Sequence, residues 1–422
     1  MRIPEGAGLA DISKLWRETF SVERVTTEFY KEYAAVRDRM AAVLVNHNQG
    51  HSVVQQLTDD EARAWATRQM GRVLFLWFLQ AKRWLGEPGG RGSTTYLLDL
   101  WNRRLETKEK EYYKGVLEPL FFDAMATGSS SSGEDPVLGY VPYLNGGLFR
   151  RSRQEDEIND EGGVSLPDEA FDPGDENSLL GLLSRYRFTT QESTPDDQSV
   201  DPDPELLGRV FENLCQGDER HDTGTYYTPR EIVHFMCREA LDGYLRDSTG
   251  VDQETLNRLR EQAIGSQDER VPLDDTLGDK LVNALETVRV CDPAVGSGAF
   301  LVGIIQEMVL LRRGILFSTR GYVEPTELYD NVSSWKRRAI ESSLYGVDIN
   351  TEAIEICRLR LWLSMVLDMT EPPLPNSDWA LPNLDFQIVT GDSLVDRVAG
   401  ITFKESWTTP QALQLEFELQ GK

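Results

Sequence analysis

The first 125 residues carry apolar side chains at three- and four-residue intervals. "VERVTTEFYKEYAAVRDRMAAVL" and "EARAWATRQMGRVLFLWFLQAKRWL" keep this spacing without a proline, which predicts two long helices. "GEPGGRGS" (86–93) breaks the pattern and "KEYYKGVLEPLFFDAM" resumes it. The polar run "TGSSSSGEDPVL" (127–138) reads as a surface loop, and "GYVPYLNGGLFR" (139–150) as a packed irregular segment. Residues 152–178 and "TTQESTPDDQSVDPDPE" (189–205) are rich in Asp, Glu, Gly, Ser and Pro and read as solvated linkers. The main boundary is therefore expected near residue 200. It would separate a mainly helical region with acidic linkers (1–200) from a second unit (201–422).

That second unit opens with two amphipathic helices, "ELLGRVFENLC" and "TPREIVHFMCREALDGYL". In the latter, Thr228 is expected as N-cap and Pro229 at the first helical position. Residues 247–285 read as a polar helix–loop–helix insertion. The pattern then changes to alternating strands and helices: "TVRVCD", "GAFLVGIIQEMVLLRR", "SSWKRRAIESS", "LYGVDI", "TEAIEICRLRLWLSMVLDM" and "FQIVTGD". Such alternation predicts an α/β fold with a parallel sheet. The tail "LQLEFELQ" alternates strictly and reads as an edge strand.

Composition narrows the class. The four cysteines and four histidines show neither disulfide nor metal-ligand spacing, so a reduced, metal-free cytoplasmic protein is expected. The start "MRIPEGAGLADISK" does not read as a signal peptide, and the apolar run "VLFLWFL" is too short to span a bilayer. Seventy acidic against 44 basic side chains give a formal net charge of −26. That sign opposes phosphate binding, which depends on basic groups displacing counterions. In molar salt the screening length falls to about 3 Å and the opposition fades, which points to a halophilic source. Charge alone therefore neither supports nor excludes DNA.

The chemistry gathers at the strand ends. "VCDPAVGSGAFLVGII" (290–305) runs from a strand ending at Asp292 through Gly296-Ser297-Gly298 into a helix. Ligands of open parallel sheets sit beyond the carboxyl ends of the strands, and helix-start N–H groups favour anionic partners. The third glycine of the dinucleotide fingerprint is missing, because Phe300 and Leu301 follow, which disfavours NAD. "YGVDIN" places Asp348 at the second strand tip, free to accept from a ribose diol, with Asn350 or Thr351 as the natural helix N-cap. "VTGDSL" places Asp392 at the third tip, where it would accept from an exocyclic amine. Three acids on successive strand ends suit a ligand rich in amine and hydroxyl donors. S-adenosylmethionine combines an adenosine with an amino-acid ammonium and fits.

"DPAVGSGAF", "LYGVDIN" and "GDSL", with "GTYYTPREIVHFM" upstream, resemble the cofactor motifs of adenine-N6 DNA methyltransferases. With "FSVERVTTEFYKEY", "LFLWFLQAKRWL", "VLEPLFFDAM", "VPYLNGGLF" and "DPELLGRVFENL", the chain resembles the large methylases of type IIG restriction–modification enzymes and of the BREX phage-defence system. The resemblance covers most of residues 15–395 outside the acidic linkers. It implies an S-adenosylmethionine-dependent, Rossmann-like methyltransferase fold acting on double-stranded DNA. By the same resemblance Tyr226, Tyr227, Thr228 and Pro229 would line the methionine end. Asp292 would meet the ammonium, directly or through water, with Gly296 and Gly298 beneath the methionine and ribose, and Ala294 and Ser297 would belong to the same cofactor-binding set. Asp348 would hold the ribose hydroxyls and Asp392 the adenine amine. Phe300 reads as helix-to-sheet packing. The interval from Asp292 to Asp348 exceeds the usual one of about 20 residues, and the extra helix around "WKRRAIESS" accounts for it.

The catalytic Asn-Pro-Pro-aromatic turn of that family is not found. "EPPLP" (371–375) has the prolines alone, and only residues 395–422 follow "GDSL". No catalytic residue is assigned. The expectation is the cofactor half of a truncated or split enzyme, needing a second polypeptide that carries the catalytic turn and the target-recognition domain. Its first strand would be left with one side unpaired. The alternative is a non-catalytic scaffold or inactive remnant that binds the same cofactor. The basic clusters Arg150, Arg151 and Arg153, and Lys336, Arg337 and Arg338, read as solvated faces rather than phosphate contacts.

Overall fold

The computed structural model describes residues 22–87, 90, 92–126, 135–142, 144, 147–186, 228–265, 270–321, 323–369 and 381–395, with the backbone of 397–398 and 401–402. Most of the 127–138 loop, the 189–205 linker and the boundary near 200 lie outside the described residues. So do "ELLGRVFENLC", "EPPLP" and the alternating tail.

Helices α1 (Val22–His47) and α3 (Asp59–Ala81) form where the periodicity places them and pack on each other, with the short α2 (Ser52–Gln55) between. A capping box of Thr58 and Glu61 starts α3, satisfying first-turn N–H groups that have no intrahelical partner. The "VLFLWFL" run is buried along its whole length, so it is core rather than a docking face. Helix α4 (Tyr96–Arg103) follows. "KEYYKGVLEPLFFDAM" is helical, but wide π-type turns at Tyr113–Leu117 and Leu120–Met125 flank Pro119. Proline has no N–H to give to an α-helical ladder.

Residues 152–178 overturn their reading as a solvated linker. They hold α5 (Arg153–Asp160) and lead into α6 (Leu179–Arg185), and Ile158, Val164, Leu166, Ala170 and Phe171 are buried. The acidic composition misleads because one acid, Glu155, is neutralised by protein rather than by water. It is buried and accepts from Arg72, Arg68 and Gln69.

The second part contains α7 (Arg230–Thr249), α8 (Gln253–Ile264), α9 (Asp275–Thr287), β1 (Val290–Asp292), α10 (Ala299–Arg320), α11 (Pro325–Ser342), β2 (Leu344–Asp348), α12 (Thr351–Leu367) and β3 (Ile388–Thr390). A short antiparallel pair, β4 (Arg397–Val398) and β5 (Ile401–Thr402), was not foreshadowed by the pattern. The three long-range strands are parallel in the order β1–β2–β3, with Val290 opposite Leu344 and Gly346 opposite Ile388. Among the described strands β1 is an edge.

Two local expectations shift. Pro229 is itself the N-cap of α7, so the helix starts one residue later than expected, and the Pro229 carbonyl accepts from Ile232 and Val233. Helices α8 and α9 are not a polar excursion. Leu256 and Leu259 are buried, and Gly314 of α10 lies so close to the Leu259 carbonyl that a Cβ there would stand 2.1 Å from the oxygen. The polar residues hid this because the charge is internal: buried Arg260 of α8 pairs with Asp242 of α7 and Glu307 of α10.

Helix α12 is buried nearly all round, since β2 and β3 lie against it and α3 packs on it as well. Arg37 donates to Glu352 at 2.9 Å, Arg68 to Glu355 at 3.1 Å, and Lys82 to the Leu367 carbonyl at 2.7 Å. A single continuous apolar core runs from Phe29 to Ile388 through both parts. No described helix is long and apolar enough to cross a membrane.

Candidate functional site

The loop after β1 is built to bend tightly. Gly296 has φ +52° and Gly298 φ +86°, left-handed conformations that favour glycine. Gly298 has a second constraint, because a Cβ there would stand 2.6 Å from Cys357 Sγ of α12. Val295, between the strand and the glycines, donates its N–H to the Val347 carbonyl at 2.9 Å. Its side chain rests on Gly346, where a Cβ would come within 2.8 Å. The loop is thus seated on β2 before α10 begins.

The three strand tips are tied together. Gly296 donates its N–H to Asp348 Oδ2 at 2.8 Å, which links the glycine turn to the tip of β2. Gly391, after β3, donates to the Asp348 carbonyl at 2.9 Å. Ser393 donates its hydroxyl to the Pro293 carbonyl, joining the third tip to the first. The carboxylates of Asp292, Asp348 and Asp392 therefore belong to one connected rim.

Each acid has its own surroundings. Asp292 accepts from the Ala294 N–H at 3.1 Å through Oδ1, while Oδ2 is buried with no hydrogen-bond partner among the described residues. Burial raises its pKa above the ordinary aspartate value, against the Ala294 hydrogen bond, and the nearby Asp348 charge adds to the rise. Asp348 is not wholly free as expected, for it accepts from Gly296 and, through Oδ1 at 2.9 Å, from the Asn350 N–H. A carboxylate offers about four lone-pair directions, so two remain. Asn350 supplies the cap of α12, accepting from Glu352 and Ala353. Asp392 is exposed and accepts from the Leu394 N–H at 2.9 Å.

Ser297 departs from expectation. It is 2 % exposed, and its hydroxyl and carbonyl both accept from buried Arg360 of α12. Tyr226 and Tyr227 lie outside the described residues. Thr228 is half-buried and Pro229 exposed at the start of α7, and no hydrogen bond links either to the three acids. Two turns further on, Cys237 Sγ donates to the Phe300 carbonyl at 3.4 Å, so α7 lies against the start of α10, and burial, Glu307 and Asp292 push the Cys237 thiol up to about 12. Phe300 is half-buried against the core, in keeping with a packing role.

Two apolar side chains at this rim escaped the sequence reading. Ile349, directly after Asp348, is 63 % exposed, and Leu394, two residues after Asp392, is 90 % exposed. Their signal was present, as each is a large aliphatic residue inside an otherwise polar strand-end turn. A separate cavity of about 210 Å³ lies at the opposite, amino ends of the strands, walled by Ile305, Met308 and Trp335, and contains no expected site residue. Most residues of the basic clusters are engaged within the protein. Lys336 pairs with Asp368, Arg337 with Glu341, Arg338 with Glu286 and Arg153 with Glu157, while Arg151 lies over Phe122.

No family model matches the chain. In the solved structure of the type IIL restriction–modification enzyme MmeI in complex with DNA, a similar arrangement covers 87 % of this chain and 40 % of that one, at 16 % identity and a TM-score of 0.51. The fold is shared. A second solved structure, a complex of DrdV with DNA, is matched over 83 % of this chain at 14 % identity and a TM-score of 0.28. Among curated proteins, a Methanocaldococcus jannaschii protein named for a type II restriction enzyme and methyltransferase is 26 % identical over 410 residues. The match takes in 88 % of this chain but only 32 % of that relative, so the chain spans about a third of the relative's length.

Proposed function

We propose that this chain carries the S-adenosylmethionine-binding portion of an adenine-N6 DNA methyltransferase in a restriction–modification or phage-defence system. The observation that supports it most is the connected rim, in which the glycine turn, Asp348 and the loop of Asp392 are hydrogen-bonded to one another. The residues fit that cofactor. The orphaned Oδ2 of Asp292 is a buried acceptor awaiting a donor such as the ligand's ammonium. The two remaining acceptor directions of Asp348 suit a ribose diol, and exposed Asp392 suits the adenine amine. Ile349 and Leu394 would cover the flat faces of the base, removing them from water. The start of α10 has no side-chain cap, which leaves its first N–H groups for the cofactor's carboxylate. Thr228 and Pro229, with Tyr226 and Tyr227, would close the methionine end.

When bound, S-adenosylmethionine supplies an activated methyl group, and the residues named here hold and orient it. Methyl transfer to a flipped adenine needs a second site, which the complete enzyme would provide. Duplex DNA, the partner of that complete enzyme, is met by an acidic chain, which fits a cytoplasm of high salt. The 1–200 and 201–422 division is retained as a proposal, with the two parts sharing one core.

Equilibrium dialysis with methyl-labelled S-adenosylmethionine tests the cofactor reading. Retention of label that S-adenosylhomocysteine displaces and NAD does not is the expected result. Displacement by NAD, or no retention, would remove the reading.

A further inference from the structure

Helix α12 does more than pack beneath the sheet. Two of its buried side chains, one turn apart, meet the glycine loop from below. Cys357 fills the space where a Gly298 side chain would be, and Arg360 donates through Nη1 to the Ser297 carbonyl at 2.8 Å and hydroxyl at 3.0 Å. Arg360 is 4 % exposed, and no carboxylate among the described residues forms an ion pair with it. Its Nε is buried without a hydrogen-bond partner among them. A buried guanidinium without a directly paired acid is costly, and a leucine would fill the same helix face without that cost. Among the described residues, the arginine's hydrogen bonds go to the residue between the two left-handed glycines.

That engagement fixes the loop where backbone conformation is softest. Gly296 and Gly298 can rotate freely in an unbound chain, so the peptide groups around Ser297 need an outside anchor to hold one orientation. The bond from Gly296 to Asp348 anchors one side, and the bonds from Arg360 anchor the middle. Charge-assisted hydrogen bonds are the strong kind for this purpose.

We propose that Arg360 is a positioning residue for the amino-acid end of the cofactor, holding the Gly296–Gly298 loop through Ser297 without touching the ligand. The inference rests on the cofactor reading above. It assigns Arg360 chiefly to the methionine half of the ligand, because the loop it holds follows Asp292 and would reach only the edge of the ribose, whereas Asp348 and Asp392 hold the adenosine half directly.

The experiment compares two ligands on the full chain. S-adenosylhomocysteine has the amino-acid end, and 5′-methylthioadenosine lacks it. Arg360→Met is expected to weaken S-adenosylhomocysteine binding about tenfold or more while changing methylthioadenosine binding less than about threefold. Arg360→Lys, which can still donate to the Ser297 carbonyl, is expected to recover part of the loss. Equal weakening of both ligands would show a merely structural role and overturn the inference, as would unchanged affinity for S-adenosylhomocysteine. If Arg360→Met does not fold, Arg360→Lys and Ser297→Ala carry the same comparison, with a smaller but still selective loss expected. Wild-type protein that binds neither ligand removes the cofactor reading and this inference with it. Wild-type binding with an unselective loss removes the inference alone.

Discussion

At the scale of single residues, Asp292 pits stability against binding. A carboxyl whose pKa is raised on folding destabilises the native state wherever it is ionised. The cost is absent below the ordinary aspartate value, grows as the pH rises from there to the raised one, and is complete above it. Asp292→Asn keeps the Ala294 hydrogen bond and removes the buried charge. The unliganded variant is expected to melt a few degrees higher than wild type at pH 7, with the gain shrinking as the pH falls towards the ordinary aspartate value, and to bind S-adenosylmethionine poorly. Thermal unfolding across that pH range checks the first part; a variant less stable at pH 7 would contradict it. The glycines separate two effects. Gly296→Ala meets no atom within 4 Å but must hold a positive φ, a strain of about 1 kcal/mol. Gly298→Ala adds the clash with Cys357, so it should cost roughly 1–3 kcal/mol more in urea denaturation. Cys357→Ala in that background is expected to restore the steric part only.

At the scale of elements, the long helices were legible because their apolar periods are uninterrupted, and the three short strands because they alternate with those helices; α5 and the apolar faces of α8 and α9 were not. The strand tips were legible because an acid followed by a glycine turn is a local signal. Buried charge was not legible. Glu155 and Arg260 look in sequence like solvated residues, and only tertiary partners far along the chain, Arg72 for the first and Asp242 and Glu307 for the second, make them internal. The linkage is strong at Glu155. Burial alone would raise its pKa, but the charge and hydrogen bond of Arg72, with Arg68, hold it down at about 2. A depressed carboxyl gives stability that is present above the ordinary glutamate value and is lost as the pH falls from there towards about 2. Arg72→Ala, which strands Glu155 in the core, should lose about 3–5 kcal/mol by chemical denaturation. Arg72→Met together with Glu155→Leu should recover most of that, because an apolar pair of similar volume replaces the stranded charge while Arg68 keeps Glu355 as its partner. A double variant as unstable as the single one would show that packing, not charge, sets the loss.

At the scale of the whole molecule, α12 joins the two parts. Its glutamates are held by Arg37, Thr67 and Arg68 on one side, and its Cys357 and Arg360 support the glycine loop on the other. A segment of residues 228–402 made without the helices of the first part would expose the apolar residues of α12 that α3 covers. It is expected to aggregate or stay unfolded, as read by light scattering and circular dichroism; a soluble, cooperatively folding segment would mean that the parts are independent. Composition suggested two units with linkers between them, and could not show one continuous core, because the contacts that build it are far apart in sequence. The net charge of −26 argues for working at molar potassium chloride, where the screening length is about 3 Å.

Calorimetric titration of S-adenosylmethionine into wild-type protein and into Asp348→Ala, in that salt, tests the central claim most directly. Asp348 is where the glycine turn, the second strand tip and the expected ribose site meet. Saturable one-to-one binding by the wild type, and loss of at least about tenfold in affinity by a variant that remains folded, is the predicted result. Identical isotherms for the two proteins would contradict it.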